Sequence, residues 1–197
     1  GNTKFYPAVM RSHARLTYGA AYAALFEGQP EARQKLGALA ARLLPLVDVY
    51  RGLLKARQRR GALDFDAPEP RFVFNEAEQI TGIDLPLRND AHKLIEECMV
   101  LANVATAREL AARVRPTLYR VHAEPDEKKL ETLVTTLRAL NVGVELPAEI
   151  HTRDLQKIAP RIKDPATRPF IETLVVRAMM QAAYQPANIG HFGLALK

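Results

Sequence analysis

Residues 88–103 read RNDAHKLIEECMVLAN, and this stretch decides how the chain is divided into elements. Asn89 and Asp90 are both side chains that cap a helix, and the residues after them recur with a period of 3.6. On that period Ala91, Leu94, Cys98, Leu101 and Ala105 form the apolar stripe of a helix predicted over 88–114. Asn89, His92, Glu96 and Asn103 line a polar strip beside it. Glu97 falls in line with Leu94 and Leu101, on the side expected to be buried. An ionised carboxylate there requires a donor, because burying it unpaired is costly. Spacing alone also offers a purely structural reading, in which Lys93 pairs with Glu97 and His92 with Glu96 at i,i+4.

Helical patterns dominate outward from this segment. One is expected over 12–26, with Ser12 as a cap and Leu16, Ala20, Ala23 and Ala24 on one side. A longer one spans 31–60 with a break or kink at Pro45, and its basic end, KARQRR, meets Gly61. Residues 62–80 read as two short strands around a proline-containing turn, and TLYRVH (117–122) as a third strand. Asp126 starts a helix that stops near Asn141 and Gly143. Thr152 caps a short helix ending by Pro160. The last helix covers 166–184, with Phe170, Leu174, Val175, Ala178 and Met179 as its stripe. HFGLAL (191–196) alternates like a strand entering a core. The expected fold class is α+β, predominantly helical with several short strands, in one domain over 1–197.

Composition narrows the function. Lys and Arg number 28 against 22 Asp and Glu, so the net charge of +6 favours polyanionic partners without requiring them. A single cysteine, Cys98, excludes an internal disulfide and a cysteine-based zinc site. No apolar run is long enough to span a membrane, and no secretory leader is legible, so a soluble, reducing, cytoplasmic setting is expected. The sequence has no G-x-S-x-G, P-loop or H-E-x-x-H pattern, and its five histidines show no ligand spacing. In LDFD, Asp64 and Asp66 share one face of an extended segment and Phe65 takes the other. Two carboxylates alone make a thin Mg²⁺ site. Phe65 is therefore read either as a base-stacking ring or as core.

Five strings in order, SHARLTY (12–18), RGALDFD (60–66), RNDAHKLIEECMVLAN (88–103), LYRVH (118–122) and GHFGLAL (190–196), resemble the catalytic domain of the ribonuclease II (RNB) family, in its ribonuclease R branch. The resemblance covers essentially the whole chain. It implies a processive 3′→5′ exoribonuclease that hydrolyses single-stranded RNA to nucleoside 5′-monophosphates with Mg²⁺. By that resemblance, Tyr18 lies near the terminal nucleotide and scissile phosphate as the catalytic candidate. Phe65 stacks on the last bases, and an acid of IEEC, Glu96 or Glu97, contacts the terminal ribose. The polar strip favours Glu96.

Two departures qualify this. The family's aspartate cluster, which holds Mg²⁺, lies upstream of the SHARLTY block and is not found before position 12. Its Ser-Pro-Ile-Arg-Arg-type segment follows HFGLAL and lies beyond Lys197. The chain is thus expected to be an internal piece of the catalytic domain, cut from a longer protein, without metal ligands of its own and inactive alone. The alternative is a non-catalytic, helical RNA- or protein-binding module of the same descent.

Overall fold

The structure is a computed structural model describing residues 3–64, 70–85, 87–147 and 149–196. It falls into two compact units: Gly1–Leu54 with Pro68–Val114, and Lys55–Ala67 with Arg115–Lys197.

In the first unit, α1 (Tyr18–Leu25) begins where Thr17 accepts the amide of Ala20 at 3.2 Å. The expected start at Ser12 is not seen; Ser12 turns its hydroxyl to the Ala14 carbonyl, and residues 3–17 are extended or irregular. The long pattern over 31–60 resolves into three helices, α2 (Pro30–Leu36), α3 (Ala38–Leu43) and α4 (Pro45–Arg60). Gly37 makes the first break with φ +54, a conformation suited to glycine. Pro45 opens α4, where its missing N–H costs nothing. Val47 and Tyr50 are the buried residues of α4, and Phe26 meets the Tyr50 ring edge-on at 5.7 Å.

A hairpin follows, β1 (Arg71–Phe74) against β2 (Ile80–Asp84), antiparallel with Phe72 opposite Ile83 and Phe74 opposite Ile80. Asn75 builds its turn by accepting the amides of Ala77 and Gln79. The first of the two strands expected in 62–80 is absent from residues 62–64, which are irregular, and Phe65 and Asp66 lie outside the described residues.

The helix of the opening stretch is α5 (Asp90–Ala112). Asn89 is its cap, accepting the amides of Ala91 and His92, while the His92 ring returns to the Asn89 backbone amide. Ala91, Leu94 and Glu97 are buried. The predicted stripe does not continue: Cys98 is half-buried and Leu101 is 52% exposed, because the second half of α5 extends past the elements that cover its first turns.

The second unit holds its own core. β3 (Tyr119–Val121) pairs antiparallel with β4 (Ala183–Gln185). Asp126 caps α6 (Glu127–Ala139) by accepting the Lys129 amide at 3.0 Å. Leu133 and Leu137 of α6 meet Ile171, Val175 and Ala178 of α8 (Arg168–Ala178), together with Leu155, Ile158, Val142 and Leu63. Ile171 takes the place expected of Phe170, which is exposed, while Val175 and Ala178 are buried and Leu174 and Met179 pack against the core as the stripe predicted. The cap of α7 (Thr152–Gln156) is His151 rather than Thr152, and Asp154 closes the box by accepting the His151 amide.

The expected strand at HFGLAL is a 3-10 turn, Phe192–Leu194. His191 touches both His122 and Leu196 as isolated bridges, and Ala195 at φ +50 bends the chain back on itself. Alternation therefore reflected a turn with apolar residues on two sides, not an extended ladder.

Two expectations test this architecture. Gly61 has φ +80, and a Cβ there would run into the Arg153 side chain. Gly61→Ala should cost about 1–2 kcal/mol, whereas Gly82→Ala, with nothing within 4 Å, should be near neutral; thermal melting of the two variants compares them. Asn89→Ala removes the α5 cap and should cost about 1 kcal/mol. For a chain of this size that lowers the melting midpoint by about 2–4 °C.

Candidate nucleic-acid interface

The first turns of α1 and α5 bring several predicted residues together. The Tyr18 ring stacks on His92, with centroids 3.9 Å apart and planes at 23°. The Asn89 backbone amide donates to His92 Nδ1 at 3.3 Å, so the cap that starts the helix also orients the ring under Tyr18. Tyr18 is 45% exposed, so a stacked aromatic surface faces outward.

Glu96 sits one turn after His92 on the same side of α5. Its expected partner was His92; the structure gives it Arg88 instead. Arg88 precedes the cap and folds back along the helix, its Nε 2.9 Å from Oε1 and its Nη2 2.5 Å from Oε2 of Glu96. The side chains are 28% and 42% exposed, so this forked pair is open to solvent on one side. A fork of this kind grips both carboxylate oxygens and fixes the direction in which the carboxylate points. Helix-periodicity arguments look three and four residues apart and so miss a pair separated by eight. The legible signal was a lone arginine immediately ahead of a capping asparagine.

Glu97 is 5% exposed, as its place in line with Leu94 foretold. Asp90, at the start of α5, accepts the Tyr50 hydroxyl at 3.0 Å, which ties α4 to this end of α5. The structure therefore brings Tyr18, His92, Arg88 and Glu96 around one helix start, with Glu97 buried one residue on. Phe65 lies outside the described residues.

In the second unit, Arg57 donates to the Leu63 carbonyl and lies 3.9 Å from Asp64. Among the described residues no three His, Cys, Asp or Glu side chains are grouped to hold a metal. A Mg²⁺ ion needs several oxygen ligands at close quarters. Asp64 lies 3.9 Å from the Arg57 guanidinium, and Glu96 is paired with Arg88 rather than with a second carboxylate. The described donors do not fit Mg²⁺. No helix among the described residues is long and apolar enough to cross a membrane.

Comparison with known proteins gives the same direction throughout. The model of the RNB domain matches residues 1–197. Ribonuclease R of Vibrio parahaemolyticus is 41% identical over 194 residues, which cover 98% of this chain and 23% of that protein. Ribonuclease R of Escherichia coli is 40% identical over 196 residues, 98% of this chain and 24% of that protein. The chain thus spans about a quarter of the length of these relatives. Among solved structures, Mycoplasma genitalium RNase R in complex with ribose methylated single-stranded RNA superposes with a TM-score of 0.75 at 24% identity, over 91% of this chain and 28% of that one. The same enzyme in complex with double-stranded RNA gives 0.69 at 26% identity, over 75% of this chain and 26% of that one. A match along its entire length, with two-fifths identity to relatives across 98% of its residues, establishes that the chain belongs to the RNB domain family.

Proposed function

We propose that this chain forms part of the catalytic domain of a cytoplasmic, Mg²⁺-dependent, processive 3′→5′ exoribonuclease that converts single-stranded RNA to nucleoside 5′-monophosphates. Its share of the work is to grip RNA. The observation that carries the reading is the Tyr18–His92 stack beside the Arg88-held carboxylate of Glu96. The relatives that bear the name ribonuclease R, and the similar fold of an RNase R found with ribose methylated RNA, support it.

The chemistry follows from the groups. An exposed ring stacked on a second ring is a firm platform for a base, and stacking is indifferent to base identity. The Tyr18 hydroxyl at the rim of that platform is a donor for a phosphate oxygen and for placing the attacking water. Glu96, ionised and held by Arg88, accepts from a 2′-hydroxyl, the group that separates RNA from DNA. Glu97 is the second candidate for that contact. Phe65 adds a further ring to the clamp. Mg²⁺ would be held by ligands outside the described residues, where it would supply an activated water and charge neutralisation at the phosphate.

Binding of matched RNA and DNA oligonucleotides to the 197-residue chain tests the grip. Glu96→Gln should reduce the preference for RNA by about tenfold or more, the worth of a charge-assisted hydrogen bond. Tyr18→Ala should weaken RNA and DNA alike, by the 1–3 kcal/mol typical of a base–aromatic stack. If Glu97→Gln erases the preference and Glu96→Gln does not, the ribose contact moves to Glu97. Equal affinity of the unaltered chain for RNA and DNA would sink the ribose assignment. Mg²⁺-dependent release of nucleotides by the isolated chain would show instead that it carries complete catalytic machinery.

A further inference from the structure

The second unit contains a histidine pair that the RNA reading does not use. His122 follows β3, and His191 opens the turn that replaces the expected strand at 191–196. His122 holds this turn by three hydrogen bonds. Its amide donates to the Gly190 carbonyl at 3.1 Å, its carbonyl accepts the Phe192 amide at 2.8 Å, and its ring Nδ1 accepts the Gly193 amide at 3.2 Å. Gly193 is there because nothing larger fits: a Cβ would lie 2.9 Å from that same Nδ1. On the far side, the Gly193 carbonyl accepts the Leu63 amide and His191 exchanges backbone bonds with Leu196.

The ring bond determines where the proton sits. A nitrogen that accepts carries no hydrogen, so neutral His122 bears its proton on Nε2. This Nε2 is buried and has no hydrogen-bond partner among the described residues, and the same is true of Nδ1 of His191. The two rings meet edge-on, 84° apart with centroids at 5.0 Å. The same tautomer argues against a metal on the pair: ligation through Nε2 would move the proton to Nδ1, against the Gly193 N–H.

We propose that His122 and His191 form a proton-operated latch on the 190–196 turn, closed when both rings are neutral and opened by one added proton. A proton on His191 sets a cation in a half-buried site beside the His122 ring, 5.0 Å away between centroids.

The surrounding charges offer that cation no relief. From the sheet, Arg120 faces the pair, and its guanidinium lies over the Tyr184 ring at 5.0 Å. From the end of α4, Arg60 donates to the Leu194 carbonyl and Arg57 to Leu63. α7 packs against the turn and brings Arg153, whose guanidinium is spent on the Arg59 carbonyl, and Asp154. The carboxylates on these elements are already engaged, Asp64 near Arg57 and Asp154 with Lys157. Burial, then His122, then Arg120 hold His191 below its usual value near 6.5. A histidine lowered in the folded state favours the neutral form. Its contribution is complete above the unfolded value and is lost as pH falls below about 6.5 towards the folded one.

The test uses the ¹⁵N-labelled 197-residue chain. Long-range proton–nitrogen NMR at about pH 7.5 should show His122 as the Nε2–H tautomer; finding the proton on Nδ1 overturns the latch. Between about pH 7.5 and 5, hydrogen-exchange protection of the Phe192, Gly193 and Leu196 amides should fall by about tenfold, the worth of one hydrogen bond lost from the turn. The Val175 amide, in the core, should keep its protection. Unchanged protection in the turn, or an equal fall at Val175, overturns the proposal. His191→Gln should flatten the pH dependence; if that variant does not fold, the two measurements on the unaltered chain decide the matter by themselves.

Discussion

Asn89 accepts the first free amides of α5, and the placement of the candidate interface follows from that cap. The cap sets the helix start, the His92 ring closes on the Asn89 backbone, and the ring so held becomes the surface on which Tyr18 stacks. Arg88, just outside the cap, is turned back along the helix and takes both oxygens of Glu96. One local hydrogen-bonding pattern thus orients an aromatic platform and a carboxylate on neighbouring turns. The geometry suits a ribonucleotide, which offers a flat base and a ribose hydroxyl close together.

The second unit works under a different constraint. Its core is a patch of Leu, Ile and Val from α6, α7 and α8, and that patch needs the chain ends around it tied down. The tie at 190–196 is polar. A histidine ring, rather than a strand ladder, accepts the Gly193 amide, and a neighbouring histidine shares the buried space. A ladder of backbone bonds does not respond to pH between 5 and 8, whereas an imidazole does. The departure from the expected strand is therefore also what gives this turn a chemistry of its own.

Much of the fold was legible from periodicity and caps. α5, α6 and β3 stand where apolar spacing put them, and Asp126 and Asn89 cap as their side chains permit; α8 starts as expected but ends at Ala178, and Ala183–Gln185, read as the end of that helix, is the strand β4 paired with β3. The misreadings share a cause. Helix ends at Thr17, Gly37 and His151 were decided by which backbone amide found an acceptor, a choice between neighbouring residues that composition does not make. HFGLAL alternates because apolar residues line both sides of a turn, and alternation alone does not distinguish that from a strand. The α5 stripe was drawn too long because period shows which residues share a face, not how far along the helix a neighbour covers it.

For the site, the sequence by itself determined the family, the helix that carries the two glutamates and the inward direction of Glu97. The family is legible in five strings spread along the chain, whereas the helix and the direction of Glu97 are properties of residue order along one segment, set by helical geometry. Only the tertiary structure decided that Glu96 is held by Arg88, that Tyr18 lies on His92 and that His122 grips Gly193. None of those pairings falls at the i,i+3 or i,i+4 spacing by which neighbouring side chains of one helix meet. They are selected by the position of one backbone relative to another, which no local pattern encodes.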